Sequence, residues 1–352
     1  MKKRYNYIIQ GAGASGLWLA YWLHKEGLLD DKTLLIVECD EFKQNDRTWC
    51  FWGDALIQDL GFVDFSWSQV QVFGESQRID PYTYHHCRSE AFYAFVKNAL
   101  ASSGHIDWCF GRVVATRQIG SQVSVDIQID NDAGVENLNV AAEWFFGSGG
   151  ASVKTSEIAL WQSFVGWRVK SKSGETIFDS AACTLMDFRI EQRRKTRFLY
   201  VLPFSGEEAL IEVTQFDKEI LGLEEGQRML QEICEMRGWD VSMTELEQNA
   251  IPMSSIFDCS ERFHAPDTRI VPLGVVAGAL KPTTGYGFLR MMQHGKSIAS
   301  ALKSNELIPK LYRKRRFRFY DDLLLRILHK HPSRGKQIFD QLFQHQRAST
   351  VL

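Results

Sequence analysis

Three features of the 352-residue sequence predict an α/β fold. A glycine-rich loop lies between an apolar strand and a helix at the N-terminus, a block rich in aromatic and β-branched residues runs from Trp161 to Phe216, and a basic helical tail closes the chain. Together they describe a Rossmann-type domain of three layers (β/β/α), interlocked with a second, mixed β-sheet domain and followed by a helical C-terminal tail. The expected segments are 1–60, 85–155 and 266–303 for the first domain, 61–84 and 156–265 for the second, and 304–352 for the tail.

The first domain follows from local chemistry. Tyr7-Ile8-Ile9 reads as a short buried strand, and Gly11-Ala12-Gly13-Ala14-Ser15-Gly16 follows at once. Leu17 to Glu26 places Leu19, Ala20 and Leu23 on one helical face, with Gly27 as the stop. A second strand, Thr33 to Val37, ends at Glu38, 22 positions after Gly16. Gly-x-Gly-x-x-Gly alone is a weak signal; inside a β-α-β unit with a following acidic residue it is a dinucleotide fingerprint. Gly11 makes the tight turn, Gly13 lets backbone approach a pyrophosphate, and Gly16 lets helix and strand pack closely. Ala12 and Ser15 complete the loop at the helix N-terminus, where free N–H groups favour an anion, and Glu38 can accept from ribose hydroxyls. The cofactor is therefore FAD or NAD. A single fingerprint at the N-terminus, no second one and no Cys-x-x-Cys point to FAD.

Further along, Ser89 is placed to cap a helix carrying Phe92, Phe95, Val96, Ala99 and Leu100. Val123, Val125, Ile127 and Ile129 alternate before the turn Asn131 to Gly134, which predicts a β-hairpin. Phe164-Val-Gly-Trp167 and Phe198 to Leu202 suggest strands of a second sheet; Glu224–Arg237, Gly287–Leu302 and the stretch from Leu311 onward read as helices.

Composition excludes several classes. Hydrophobic residues make up 45% and charged residues 24%, which is ordinary globular composition and rules out wholesale disorder. Lys+Arg number 41 against 43 Asp+Glu, so no global charge favours nucleic acid. The tail is the exception: residues 303–347 hold twelve Lys/Arg and four Asp/Glu. Seven scattered cysteines, never spaced Cys-x-x-Cys, suggest reduced, cytoplasmic usage and no zinc site. His85-His86-Cys87 lacks partners at ligand spacing and is expected to be structural, so no metal is expected. The N-terminus has too few apolar residues for a signal peptide, and Ile270–Leu280 is too short to span a bilayer.

From Asn45-Asp-Arg-Thr-Trp-Cys-Phe-Trp52 the sequence resembles the flavin-dependent lycopene cyclases of the monomeric bacterial and plant type. The likeness continues at Leu160 to Trp167, Thr184 to Phe188, Phe198 to Pro203, Ala209 to Phe216, Lys281-Pro-Thr-Thr-Gly-Tyr-Gly-Phe288, Arg318 to Arg326 and Ile338 to Phe343. These segments are in order and span nearly the whole chain. Relatives carry Gly-Thr-Ala-Gly-Gly where this chain reads Gly274-Val-Val-Ala-Gly278. The resemblance implies a non-redox cyclisation of the ends of a linear carotene, lycopene to gamma- or beta-carotene. It also implies reduced FAD, with electrons from NAD(P)H directly or through a carrier.

Within that resemblance, Glu212 is the expected acid. It lies in Ala209-Leu-Ile-Glu-Val-Thr-Gln-Phe216 among apolar neighbours, so desolvation should keep its carboxyl protonated. Many relatives carry a second acidic residue next to it. Here that position is Val213, so a two-carboxylate scheme is not expected. Trp49, Phe51, Trp52, Trp161, Trp167 and Tyr286 are expected to line the polyene site, where π-faces can stabilise cations. Gly278, Lys281, Thr283, Thr284 and Gly285 are expected around the flavin, and Arg47 either contacts it or forms a surface salt bridge. The tail alternates Arg313-Lys-Arg-Arg316 and Arg318 with Phe317, Phe319, Leu323, Leu324, Leu325, Ile327 and Leu328. It reads either as a solvated helical face or as a peripheral contact with an anionic membrane surface, through which a lipid-soluble substrate enters. Two other functions fit the same fold: a redox flavoenzyme on an isoprenoid (monooxygenase or prenyl reductase), or a non-catalytic membrane-associated flavoprotein. Product mass separates cyclisation from reduction and oxygenation.

Overall fold

The computed structural model describes residues 2–42, 44–53, 60–72, 74–131, 134–149, 160–255 and 268–346. Cys259 and part of the turn between Asn131 and Gly134 lie outside them. The N-terminal apolar run forms β1 (Arg4–Gln10), and the glycine loop leads into α1 (Ala14–Lys25). β1 pairs in parallel with β2 (Leu34–Glu38) on one side and β11 (Gly134–Gly147) on the other. β8 (Ile106–Phe110) extends the sheet beyond β2, and β17 (Ile270–Pro272) extends it beyond β11. Every residue of β2 is buried, as a parallel strand covered on both faces requires.

The cover differs on the two faces. α1, α2 (Ser89–Leu100) and α4 (Phe288–Ser304) enclose an aromatic core on one side. At its centre the fully buried Trp18 lies 4.9 Å from Phe92 and 5.7 Å from Phe288, ring centroid to centroid. The other side is a β layer. The first half of β11 continues antiparallel into β10 (Gln122–Asn131) and β9 (Arg112–Ile119), and Val123, Val125 and Ile127 cluster with Tyr5, Ile8, Leu35 and Val37. This is the three-layer β/β/α arrangement expected.

The second sheet runs in the order β16 (Val241–Met253), β12 (Leu160–Ser171), β15 (Glu208–Asp217), β14 (Thr196–Pro203), β13 (Ala182–Asp187), β5 (Gln69–Val72), β6 (Glu75–Arg78). It is mixed, because β13 and β5 pair in parallel while the other neighbours are antiparallel. Side-chain alternation sorts its two faces. Val165, Leu199, Val201, Ile211 and Val213 pack with α3 (Leu223–Arg237). Phe198, Leu210 and Phe216 face the opposite way, where α5 (Arg315–Lys330) and α6 (Gly335–His345) contribute Leu325, Leu328, Phe339 and Phe343.

A three-stranded sheet, β3 (Thr48–Gly53), β7 (Thr83–Arg88) and β4 (Phe65–Trp67) in the order β3-β7-β4, joins the halves. Alternate residues of β3 divide between them: Trp49 and Phe51 pack on the helical core, Cys50 and Trp52 on the core of the second sheet. Among the described residues no helix is long and apolar enough to cross a membrane.

Candidate active site

The glycine loop has the geometry its residues predict. Gly11 sits at φ +92°, and a Cβ on Gly16 would stand 2.0 Å from the Gly11 carbonyl oxygen. Gly13 caps α1, and a Cβ there would meet nothing within 4 Å, so the loop is open in front of the helix N-terminus. Buried Glu38 accepts from the backbone N–H groups of Ala12 at 2.6 Å, Cys39 at 2.8 Å and Asp40 at 3.2 Å. It thereby ties the end of β2 to the loop while its carboxylate keeps further lone pairs for a ribose. Beside it lies a cavity of about 530 Å³ lined by Ala12, Glu38, Lys97, Trp108 and Phe110 among others. Among the described residues, neither Ser15 Oγ nor Thr284 Oγ1, both buried, has a hydrogen-bond partner. Buried hydroxyls left unsatisfied are costly, and a polar cofactor would meet both. The residues present fit a dinucleotide.

A second cavity of about 350 Å³ opens on the face of the large mixed sheet turned to α6. Trp49, Trp52, Phe164, Phe198, Leu210 and Phe216 give it an apolar, aromatic wall, and Glu212 projects into it from β15. Burial, reinforced by the nearby carboxyl of Glu247, pushes the Glu212 pKa up to about 8. Glu212 is therefore largely protonated at neutral pH, and the Thr214 hydroxyl donates to its Oε1 at 2.5 Å.

Val213 removes the adjacent carboxyl, and on that ground no two-carboxylate scheme was expected, but Glu247, which the sequence does not mark as a partner, stands with Glu212 in the same cavity wall. Register explains it: Gly166 of β12 pairs with Glu212 of β15 on one side and with Glu247 of β16 on the other. A Cβ on Gly166 would stand 3.0 Å from both Cγ and Oε1 of Glu247. The glycine thus leaves room for the Glu247 side chain to lie over the middle strand. Burial raises the pKa of Glu247 as well, while the Thr48 hydroxyl, donating to Oε2 at 3.0 Å, opposes that rise.

Three tyrosines complete the polar part of the wall. The Tyr84 and Tyr286 hydroxyls are 2.7 Å apart, and the Tyr84 hydroxyl also shares a hydrogen bond with that of Tyr200. Burial pushes all three phenols up, and it pushes the Cys50 thiol beside them up to about 12, so none ionises at neutral pH.

The loop Lys281 to Gly287 also reaches this cavity, with Lys281, Thr283, Thr284, Gly285 and Tyr286 in its wall. Desolvation lowers the Lys281 pKa. The Thr283 hydroxyl, expected near the flavin, donates to Asp321 Oδ1 at 2.7 Å. Asp321 in turn pairs with Arg313 at 2.9 Å, and Arg313 also donates to the Leu280 carbonyl at 2.9 Å. Both side chains of the pair are buried, so Arg313 is a structural pin between tail and loop and leaves the basic surface expected of it.

Of the aromatic residues expected at the substrate, Trp49, Trp52 and Tyr286 line the cavity and three others do not. Phe51 stacks on Phe288 with centroids 4.9 Å apart. Trp161 and Trp167 alternate with Gln162 and Phe164 of the cavity wall and so project to the opposite face of β12, where Trp167 packs with the core beneath α3. Arg47 is exposed, its Nε 3.9 Å from Asp46. Gly278 ends a short 3₁₀ turn, Gly274–Ala277, and lines neither cavity. Buried His85 and His86 meet Ser66 Oγ at 2.8 Å and Asp64 at 3.4 Å respectively, and no cluster of three metal-ligating side chains occurs among the described residues.

The profile of the family described as Lycopene cyclase protein matches residues 6–348. Lycopene beta-cyclase of Pantoea ananas is 22% identical over 298 residues, covering 81% of this chain and 72% of that protein. Lycopene beta-cyclase of Pseudescherichia vulneris is 23% identical over 304 residues, covering 84% and 73%. Among solved structures, a geranylgeranyl bacteriochlorophyll reductase-like protein from Thermoplasma acidophilum superposes with a TM-score of 0.65 at 15% identity, over 94% of this chain and 84% of that one. A p-nitrophenol 4-monooxygenase from Pseudomonas putida gives 0.60 at 14% identity, over 99% and 92%. These two share the fold.

Proposed function

The chain belongs to the lycopene cyclase family of enzymes, and on that premise we propose that it closes rings at the ends of a linear carotene, lycopene, with FAD in its reduced form as cofactor. The observation that carries this is a carboxyl held neutral inside an apolar, aromatic cavity. A cyclisation of this kind needs a proton delivered to an alkene where water cannot intercept the cation.

Gly11, Gly13, Ser15, Gly16 and Glu38 would hold the dinucleotide, with Thr284 meeting it from the Lys281–Gly287 loop. When bound and reduced, the flavin supplies negative charge that stabilises a nearby cation in a dry site. Glu212 holds the proton at its carboxyl oxygen and delivers it to the terminal alkene. Trp49 and Trp52 present π-faces to the cation and fix the polyene. Leu324, Phe339 and Phe343 of the tail helices close the cavity against water.

A lipid-soluble substrate has to enter from a membrane. At the start of α5, Phe317, Phe319, Tyr320 and Leu323 are exposed alongside Arg315, Arg316 and Arg318. We assign this basic, apolar patch to peripheral contact with the anionic cytoplasmic leaflet. The test is an anaerobic incubation of flavin-loaded protein with lycopene in liposomes and prereduced FAD. A cyclic product of unchanged mass is expected; a product heavier by hydrogens or by oxygen would mean a reductase or a monooxygenase instead.

A further inference from the structure

Ring closure takes up one proton and releases another, and the two protons sit on different carbons of the chain. The three-strand row Glu247–Gly166–Glu212 supplies a second group. Glu247 lines the same cavity and lies across Gly166, with Oε2 held by Thr48. Its Oε1 is buried, and no N–H or hydroxyl among the described residues donates to it. The neutral carboxyl of Glu212 is the donor at hand.

We propose that Glu212 and Glu247 form a proton-exchanging carboxyl pair in which Glu247 accepts the proton released on ring closure. This rests on the cyclase function proposed above. In the balanced sequence, the Glu212 carboxyl transfers its proton to the inner carbon of the end alkene, which leaves a tertiary cation on the outer carbon that bears the two methyl groups. The next double bond attacks the resulting cation and forms the ring C–C bond. A C–H beside the new cation gives its proton to the Glu247 carboxylate, and that bond's electron pair becomes the ring double bond. Glu212 is then ionised and Glu247 protonated; transfer of one proton between them restores the starting state. No electron leaves or enters.

The pair titrates among groups that keep their own state near neutrality. Cys50, Tyr84, Tyr200 and Tyr286 face it and stay protonated, Lys281 stands in the same wall, and exposed Glu245 adds a repulsive charge on the Glu247 side. The alkaline limb of the rate profile therefore reports Glu212 losing its proton near pH 8.

The experiment uses flavin-loaded wild type, Glu247→Gln, Glu247→Asp and, as a surface control, Glu245→Gln. Carboxyl stretching bands are followed by pH-difference infrared spectroscopy, alongside lycopene cyclisation in liposomes. Wild type is expected to show a buried carboxyl titrating near pH 8. In Glu247→Gln that titration moves to lower pH, because the neighbouring charge is gone, and cyclisation falls by at least about 10²-fold. Glu247→Asp restores part of the rate, and Glu245→Gln changes neither readout by more than a fraction. Glu247→Gln with the wild-type titration and rate overturns the proposal. A wild type that shows the coupled titration but yields no cyclic product instead overturns the proposed reaction, which keeps the two failures apart.

Discussion

Holding Glu212 neutral imposes a pH dependence on folding itself. Its carboxyl has an ordinary pKa of 4.5 and is raised to about 8, first by burial and then by Glu247. The folded state therefore binds a proton that the unfolded chain has released through the interval between these values, and stability falls as pH rises across it. The stabilising proton is fully bound below pH 4.5 and lost through pH 8. Each pKa unit corresponds to ~1.4 kcal/mol, so between about pH 5.5 and 7.5 the Glu212 contribution declines by about 2–3 kcal/mol. Glu212→Gln mimics the neutral acid and carries no titratable proton, so this part of the decline should disappear. Urea unfolding of both proteins at the two pH values, with equal m-values as the check on two-state behaviour, measures the difference. The variant should be the more stable by ~1.4 kcal/mol at the lower pH and by about 4 kcal/mol at the higher, a gap that widens by about 2–3 kcal/mol between them. Parallel stability profiles would refute a neutral, buried Glu212.

Three further outcomes follow from the remaining geometry. Gly13→Val points a branched side chain into the open space before α1 and should abolish flavin binding with the fold retained, read from flavin absorbance and circular dichroism; full flavin retention would remove the loop from the cofactor site. Replacing Lys314, Arg315, Arg316 and Arg318 with Gln should weaken sedimentation with anionic liposomes at least about tenfold, since each interfacial cation contributes ~1 kcal/mol, and added salt should do the same; unchanged sedimentation means a solvated face. Asp321→Asn removes the carboxylate paired with the buried Arg313 side chain and should cost about 3–5 kcal/mol in urea unfolding, against ~1 kcal/mol or less if the pair were open to water.

What the sequence revealed depended on the range of the interactions that decide each feature. The β-α-β unit was legible because its glycines answer to contacts within a few residues, such as Gly16 against the Gly11 carbonyl. The β hairpin of Val123, Val125 and Ile127 was legible because alternation alone selects its buried face. Aromatic density in β12 did not say which face Trp161 and Trp167 occupy, since that is set by register with β15 and β16. Glu247 was hidden for the same reason. It lies 35 positions after Glu212, on an edge strand with exposed charged and polar neighbours, and only pairing through Gly166 brings the two together. Arg313 shows the converse limit: within a run of four basic residues, tertiary contact with Asp321 buries one and leaves the others at the surface.

The most direct measurement is the cyclisation rate of Glu212→Gln, loaded with reduced FAD and supplied with lycopene in liposomes under anaerobic conditions. Flavin content and the unfolding midpoint at neutral pH establish that the variant is folded and holds cofactor. Removing the transferable proton should lower the rate by at least about 10²-fold, the contribution typical of a general acid, and any residual product should keep the mass of lycopene. A Gln variant that cyclises lycopene at close to the wild-type rate contradicts Glu212 as the proton donor and leaves the flavin or another group of the cavity to supply the proton.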